Sequence, residues 1–240
     1  MSKKYANPPI REAVCEIKFT HDSKWDFTVP GLLYEKVKTD FRVKSSGSIT
    51  LGDRTPLAEL AVFFTEDKLT SIRVGSRWPI LSIIRQKPYP SWSEFKPNIE
   101  KAYNELRAID GVEIKGIQRI GLLYVNLIEI PKKSVNLADY FEYGLNLGGR
   151  LPKEIRTFLV GSEFSFFEGR DVCRVQLASA VASNPEHFSV RLDLDYYLAK
   201  PQAVTPDGVL EWVENAHQKV EELFEGCIRG KTRKLFGEVK

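Results

Sequence analysis

The longest apolar run of the chain lies at its midpoint and reads IQRIGLLYVNLIEIP from Ile117 to Pro131. This run predicts one long strand that ends at Pro131, because proline cannot donate a hydrogen bond to a sheet. Alternating or continuous apolar stretches predict further strands at 13–19, 57–64, 69–74 and 80–86, and then at 158–167, 172–181 and 188–198. Residues 43–54 are polar and rich in serine, which predicts a loop.

Apolar residues that recur every three or four positions predict two long helices. The first covers 91–109, where Ser91 and Glu94 have the spacing of a capping box. The second begins at Thr205-Pro206 and carries an apolar stripe from Val209 to Cys227. Short helices are predicted at 32–41 and 137–147.

Each half of the chain is therefore predicted to run strand, short helix, three strands, long helix. This order predicts an α+β fold of two similar β-α-βββ-α halves, residues 1–115 and 116–240, with antiparallel sheets each packed on one long helix. By analogy, the order is similar to the helix-grip and TATA-binding-protein folds. A fold analogy of this kind does not determine function.

Composition excludes several classes of protein. Hydrophobic residues make up 42% and charged residues 28% of the chain, which is typical of a globular protein. No apolar run approaches the roughly 20 residues that span a bilayer, and the basic N-terminus lacks the apolar core of a secretion signal. Cys15, Cys173 and Cys227 are far apart and have neither zinc-ligand nor redox spacing. We therefore expect a cytoplasmic protein with no metal, no cofactor and no membrane contact.

Basic residues are concentrated in the first half. The net charge is +3, but residues 1–120 contain 20 Lys+Arg against 15 Asp+Glu, and the remainder is net negative. Two groups stand out as candidate contacts to DNA or RNA, since cations track phosphates and aromatic rings stack on bases. The first group is Arg73, Arg77, Trp78, Arg85 and Lys87, and the second is Arg229, Lys231, Arg233 and Lys234. Arg73, Arg77 and Arg85 all have odd numbers, which predicts a shared sheet face.

No catalytic motif is present, and we predict that the chain is not an enzyme. Asp193 and Asp195 share one face of a strand and are open to two interpretations, a divalent-metal site or a pair offset by Arg191. Gly230-Lys231-Thr232 is not a phosphate-binding loop, because it follows a helix and lacks the upstream glycine at the right distance.

Several motifs resemble an uncharacterised, sporadically distributed prokaryotic family of about this length. They are the opening Asn7-Pro8-Pro9-Ile10-x-Glu12-Ala13-Val14-x-Glu16-Ile17-x-Phe19, the central Arg119-Ile120-Gly121-Leu122-x-Tyr124-x-Asn126, and near the end Ala216-His217 and Leu235-Phe236-Gly237. The patchy distribution of that family implies genes that travel with mobile elements or defence islands. The resemblance carries no catalytic residues with it.

The length and two-part build are also similar to the free-standing amino-terminal and linker-lobe subunits that pair with truncated prokaryotic Argonautes. That similarity implies a non-catalytic accessory subunit of a defence complex, which binds a protein partner such as an Argonaute MID-PIWI subunit and helps hold guide and target nucleic acid. Two alternatives remain open at this point. One is a small-molecule-binding module with a pocket lined by Trp92, Phe95, Trp212 and Phe224, and the other is an antitoxin or immunity protein that acts by protein contact alone.

Overall fold

A computed structural model describes residues 4–50, 56–145, 150 and 155–239. One antiparallel sheet of nine strands dominates it, in the spatial order β3-β4-β5-β6-β2-β7-β10-β9-β8. The strands are β2 (Ile10–Phe19), β3 (Val43–Thr50), β4 (Pro56–Phe64), β5 (Thr70–Gly75), β6 (Ile80–Gln86), β7 (Ile117–Ile130), β8 (Leu159–Phe166), β9 (Asp171–Ala180) and β10 (Phe188–Leu198). A separate two-stranded sheet pairs β1 (Lys4–Tyr5) with β11 (Glu238–Val239). The predicted α+β class is confirmed.

Both predicted halves contribute strands to this single sheet, so their antiparallel strands are continuous across the middle of the molecule. β2 and β7 pair antiparallel from Ile10 opposite Asn126 to Phe19 opposite Ile117. This pairing leaves neither strand with an unpaired edge, which removes two rows of unsatisfied backbone groups. The remaining strands then extend outward on either side of the central β2–β7 pair.

Four helices complete the structure in the described part of the chain. They are α1 (Val29–Val37), α2 (Trp92–Arg107), α3 (Val209–Cys227) and α4 (Gly230–Phe236). The apolar stripes predicted for the two long helices are buried, with Ile99 and Leu106 on α2 and Val213 on α3 each at most 1% exposed. These stripes pack on the sheet residues that point the same way, and together they form the main core. No helix in the described ranges is long and apolar enough to span a membrane.

Two predictions of local structure are wrong. The polar stretch Val43–Thr50 is the edge strand β3, because pairing with β4 satisfies its backbone regardless of its side chains. The predicted helix at 137–147 is a single 3-10 turn at Leu137–Asp139, and 146–147 lie outside the described residues. Beyond that turn, the amides of Glu142 and Tyr143 donate to the carbonyl of Cys227, so the end of α3 satisfies this backbone.

Candidate nucleic-acid interface

The register divides the strand side chains into two faces, since residues opposite each other in an antiparallel sheet point the same way. One face lies under the helices and forms the main core. The buried residues of all four described helices pack there, so the other face, called the open face below, carries no helix among the described residues. A small apolar cluster of Leu60, Val62 and Ile80 lies on the open face.

Charge on the open face is nearly balanced. The described strands place five cations and six carboxylates there: Lys18, Arg73, Arg119, Arg174 and Arg191, with Glu12, Glu16, Glu129, Glu163, Asp193 and Asp195. A surface that tracks a phosphate backbone needs an excess of positive charge. The open face as a whole is therefore not a basic saddle, and any nucleic-acid contact has to be local.

The structure divides the first predicted group of basic residues. The β5–β6 register pairs Arg73 with Ser82 and Thr70 with Arg85. Arg73 therefore lies on the open face and Arg85 on the helix face, so the prediction of one shared face is wrong. The register pairs odd residues of one strand with even residues of the next, so the parity of residue numbers does not carry through the turn that joins them.

Arg85 and Lys87 lie at one end of β6. The Arg85 guanidinium donates to Thr70 Oγ1 at 3.0 Å and to the Pro88 carbonyl at 3.1 Å and 3.3 Å. These bonds hold the end of β6 in place. They also occupy guanidinium N–H donors that could otherwise donate to a phosphate. Lys87 is exposed, and its backbone amide donates to the Arg11 carbonyl at 2.9 Å.

Arg73, Arg77 and Trp78 lie toward the other end of β6, and we call them the rim group. Arg73 Nε is buried without a hydrogen-bond partner in the described residues. Arg77 is exposed and forms no ion pair within the described ranges. The Trp78 indole is 47% exposed, and its ring meets the His21 ring edge-on at 5.5 Å. The rim group thus combines two arginines without carboxylate partners and one accessible aromatic ring.

The second predicted group lies on and just before α4, and most of its charge is neutralised. Carboxylates hold three of the four cations: Arg229 by Glu142 at 2.7 Å, Lys231 by Asp139 at 2.8 Å and Arg233 by Glu225 at 2.9 Å. Lys231 also keeps the pKa of Asp139 below its ordinary value through this hydrogen bond and its charge. Lys234 is exposed and has no ion pair in the part of the chain that the structure describes.

Sequence reasoning missed the best-connected charged cluster of the open face. The Arg119 guanidinium lies 3.4 Å from Glu16 Oε1 and 3.2 Å from Asp195 Oδ2. It also lies over the ring of Tyr197, 4.9 Å from the centroid. Arg174 approaches the same ring at 6.0 Å. The cluster links β2, β7, β10 and β9, and its charges offset one another.

Burial raises the pKa of Asp195, although the charges of Arg119 and Arg174 act in the opposite direction. Asp193 is paired with Arg191 at 2.7 Å. Each member of the aspartate pair therefore has its own arginine, which favours the ion-paired interpretation over a metal site. No group of three metal-ligating side chains exists among the described residues.

A glycine in the sequence could have located this cluster. A Cβ atom built on Gly121 would lie 2.5 Å from Arg119 Nη1, so the missing side chain leaves room for the guanidinium to lie flat on the sheet. A glycine inside an otherwise apolar strand often marks such a close approach. The sequence carries this signal two residues after Arg119.

A buried polar chain fills the space where α2 and α3 meet the sheet. The His217 ring stacks on the Trp92 ring with centroids 4.1 Å apart. Its Nδ1 is 3.1 Å from the Tyr124 hydroxyl, which is 3.2 Å from that of Tyr89. Trp92 Nε1 donates to Glu214 at 3.0 Å. Tyr124 and His217 belong to the motifs that carry the family resemblance, and here they join helix to sheet.

The residues proposed to line a ligand pocket are packed. Phe95 and Trp212 are 1% and 4% exposed, and Phe224 stacks on Phe236 at 6.2 Å. A shallow cleft of about 310 Å³ lies elsewhere, lined by Glu142, Tyr143, Phe164, Glu222, Leu223, Gly226 and Cys227. These contacts give the small-molecule alternative no support.

The three thiols are buried and protonated at neutral pH. Burial raises the pKa of Cys15 and of Cys173 to about 12, and that of Cys227 to about 11. The thiolate is the reactive form of cysteine, so none of the three is suited to act as a nucleophile.

The structure defines the chain as an α+β protein built on one nine-stranded antiparallel sheet. No protein-family model matches the sequence, and no curated protein sequence matches it.

Proposed function

We propose that the chain is a non-catalytic binding subunit of a prokaryotic defence complex, and that it helps hold nucleic acid and contacts a protein partner. The observation that carries this proposal is the rim group. Its arginines lack carboxylate partners in the described residues, whereas the other open-face arginines are ion-paired. Phosphate oxygens are suitable acceptors for such arginines, and a base can stack on the exposed indole of Trp78.

The proposal gives different roles to the nine residues singled out in the sequence. Arg73 and Arg77 would contact phosphates, and Trp78 would stack on a base. Lys87 and Lys234 would add weaker, longer-range attraction. The remaining four would contribute little, because their donors already bond to the protein: Arg85, Arg229, Lys231 and Arg233. A subunit of this kind holds nucleic acid through few contacts, so its affinity alone is expected to be weak.

We also propose that the two halves arose by duplication, as the repeated element order of the sequence suggests. The strand order supports this, because β2-β6-β5-β4 on one side of the central pair corresponds to β7-β10-β9-β8 on the other. An Argonaute-type partner and the assignment to a defence complex rest on the resemblance of the sequence. Wherever that partner binds, the rim group has to stay accessible to nucleic acid.

Binding of the purified chain to short fluorescent single-stranded DNA and RNA tests the role of the rim group. Anisotropy is measured across a salt series for the natural protein and for Arg73→Ala/Arg77→Ala. Each lost phosphate contact lowers the slope of log affinity against log salt by about 0.7, so the double variant is expected to lose about 1.4. Trp78→Ala is expected to weaken binding by about 1–3 kcal/mol with little change in slope.

The matched control is Arg229→Ala/Lys231→Ala, which removes the same amount of charge from residues that are already ion-paired. It is expected to change the slope by much less than the rim-group variant. Equal decreases in the slope for the two double variants would mean that binding depends on net charge alone. In that case the assignment of the site to the rim group would be wrong.

A further inference from the structure

The two edges of the sheet differ in how they are protected. Edge strands expose unpaired backbone groups, and proteins usually block them with lysine, proline or bulges. β3 has Lys44 and a register shift between Ile49 and Thr50. β8 reads LVGSEFSF, with no lysine or proline, and its register with β9 is unbroken over all eight residues. No described backbone group pairs with its outer side.

The side chains of this edge are also unusually apolar and accessible. Leu159 is 68% and Phe164 is 40% exposed, while Glu163 is the single charged residue of the strand. Arg174 of the same chain already bonds Glu163 at 2.7 Å. The edge therefore offers a strand-length row of backbone groups without partners among the described residues, flanked by apolar side chains and without net charge.

The helix-facing residues on either side of Ser162 are nearly symmetric, and this local symmetry points to a second copy of the chain as the occupant. Reading outward from Ser162 on the helix-facing side of the strand, the residues are Val160 and Phe164, then Phe158 and Phe166. We propose that β8 pairs antiparallel with β8 of a second copy of this chain, about a twofold axis at Ser162. Each interface of this type is made by the same patch on both subunits.

This register suits both faces of the paired strands. On the helix-facing side, Val160 lies opposite Phe164 of the second copy, and aromatic rings next to β-branched residues stabilise strand pairs. On the open face, Glu163 lies opposite Gly161 of the second copy, so no carboxylates meet. A register centred one residue later would oppose the two Glu163 side chains, which is unfavourable. The pair would join two nine-stranded sheets into one and close both unprotected edges.

A cysteine at the axis tests the register directly. In Ser162→Cys, the two new thiols would have Cα atoms about 4.5–5.5 Å apart, within the range of a disulfide. Mild oxidation of the purified full-length chain is expected to give a covalent dimer. Ser165→Cys is the matched control, because its two copies would lie about 20 Å apart along the strands and would not cross-link. The natural cysteines are at most 5% exposed, and Cys227→Ala in the same background removes the one that borders the cleft.

Sedimentation equilibrium over a wide concentration range gives the second readout. Phe164→Lys is expected to raise the dimer dissociation constant about tenfold or more, because the twofold axis places the substitution in the interface twice. Val181→Lys serves as the control, since Val181 is 93% exposed and lies outside β8. Circular dichroism establishes that each variant is folded.

Two results would overturn the proposal. One is that the natural protein stays monomeric at all concentrations. In that case the outer edge of β8 would be available to a strand of another protein. The other is a dimer that withstands Phe164→Lys and gives no cross-link through Ser162→Cys. If Phe164→Lys does not fold, the cross-linking pair alone decides.

Discussion

The two wings of the sheet are covered differently. In the first wing, β3 to β6, helix α1 lies over the outer strands and buries Leu33 completely. The Tyr34 ring is 5.1 Å from the Phe63 ring, and Phe63 is 4% exposed. In the second wing, β8 to β10, the segment that leads into it from β7 contains one 3-10 turn, at Leu137–Asp139, in its described residues. Phe164 is 40% exposed there.

This difference shows that the burial of an outer strand depends on whether a helix packs over it. Two phenylalanines that both face the helix side, Phe63 and Phe164, have different environments because one wing has α1 above it. Apolar residues left without such a cover favour contact with another chain. The second wing thus has the more exposed apolar edge, and the first wing has the more deeply buried outer strands.

The largest expected effect comes from truncating the two phenylalanines. Phe63→Ala removes a buried ring and is expected to lower the free energy of unfolding by about 3–5 kcal/mol. Phe164→Ala removes a ring that is already 40% exposed, so a smaller loss of about 1 kcal/mol is expected for the monomer. Urea denaturation at low protein concentration measures both. Similar losses at the two positions would show that the wings are equally covered, contrary to the structure.

A smaller difference is expected between two tyrosine hydroxyls. Tyr124→Phe leaves the Tyr89 hydroxyl and His217 Nδ1 without their shared buried partner, which is expected to cost about 1–3 kcal/mol. Tyr143→Phe in the second wing removes bonds of 3.1 Å to Ser162 and 3.2 Å to the Val175 carbonyl. These atoms are partly accessible, so water can replace the hydroxyl and we expect about 0.5–1 kcal/mol. A larger loss for Tyr143→Phe would contradict this ranking of the two regions.

The smallest expected effect is a difference in thiol reactivity. Cys227 lines the cleft of the second wing and has a pKa of about 11, whereas burial raises the pKa of Cys15 and Cys173 to about 12. Because Cys227 borders the cleft and the other two thiols are fully buried, alkylation in the folded state should reach Cys227 first. Mass spectrometry of partially alkylated protein identifies the order. Earlier labelling of Cys15, in the central strand, would refute the prediction.

The same thiols make stability depend on alkaline pH. Their pKa values are raised above the ordinary 9.0, so the folded state retains protons that the unfolded state releases. Their contribution to stability is complete below pH 9 and is lost as the pH rises toward about 12. The urea midpoint is therefore expected to fall between about pH 8 and pH 10. Cys15→Ala and Cys227→Ala should each reduce this dependence by a similar amount, because both folded-state pKa values lie above pH 10.

Much of the fold could be predicted because its strands carry clear patterns. Ile117–Ile130, Ile80–Gln86 and Phe188–Leu198 agree with the predicted limits, since apolar residues at strand spacing begin and end with them. β3 was missed because its pairing with β4 does not need apolar side chains. The segment at 137–147 has helical spacing, yet its backbone bonds to Cys227 and its Phe141 forms a bridge with Ile228. A contact with residues about 85 positions away along the chain cannot be read from local periodicity.

The candidate site was predictable in composition but not in arrangement. The sequence identified Arg73, Arg77 and Trp78, which the structure brings to one end of β6. It also grouped them with Arg85, which the strand register places on the other face. The basic residues of α4 were visible as a charged run, but their carboxylates come from distant segments, as with Glu142 for Arg229. Pairing between distant charges depends on the fold, so net charge along the sequence overstates the free cations.

The α+β class, most strands and the two long helices followed from the sequence, because these depend on the spacing of apolar residues along one stretch of chain. The tertiary structure alone decided that the halves share one sheet, which face each arginine occupies, and which cations remain unpaired. It also decided that α1 packs over the outer strands of one wing, while the corresponding segment of the other wing has one 3-10 turn in its described residues. These features depend on strand register and on contacts between distant segments, and neither is encoded in any local pattern.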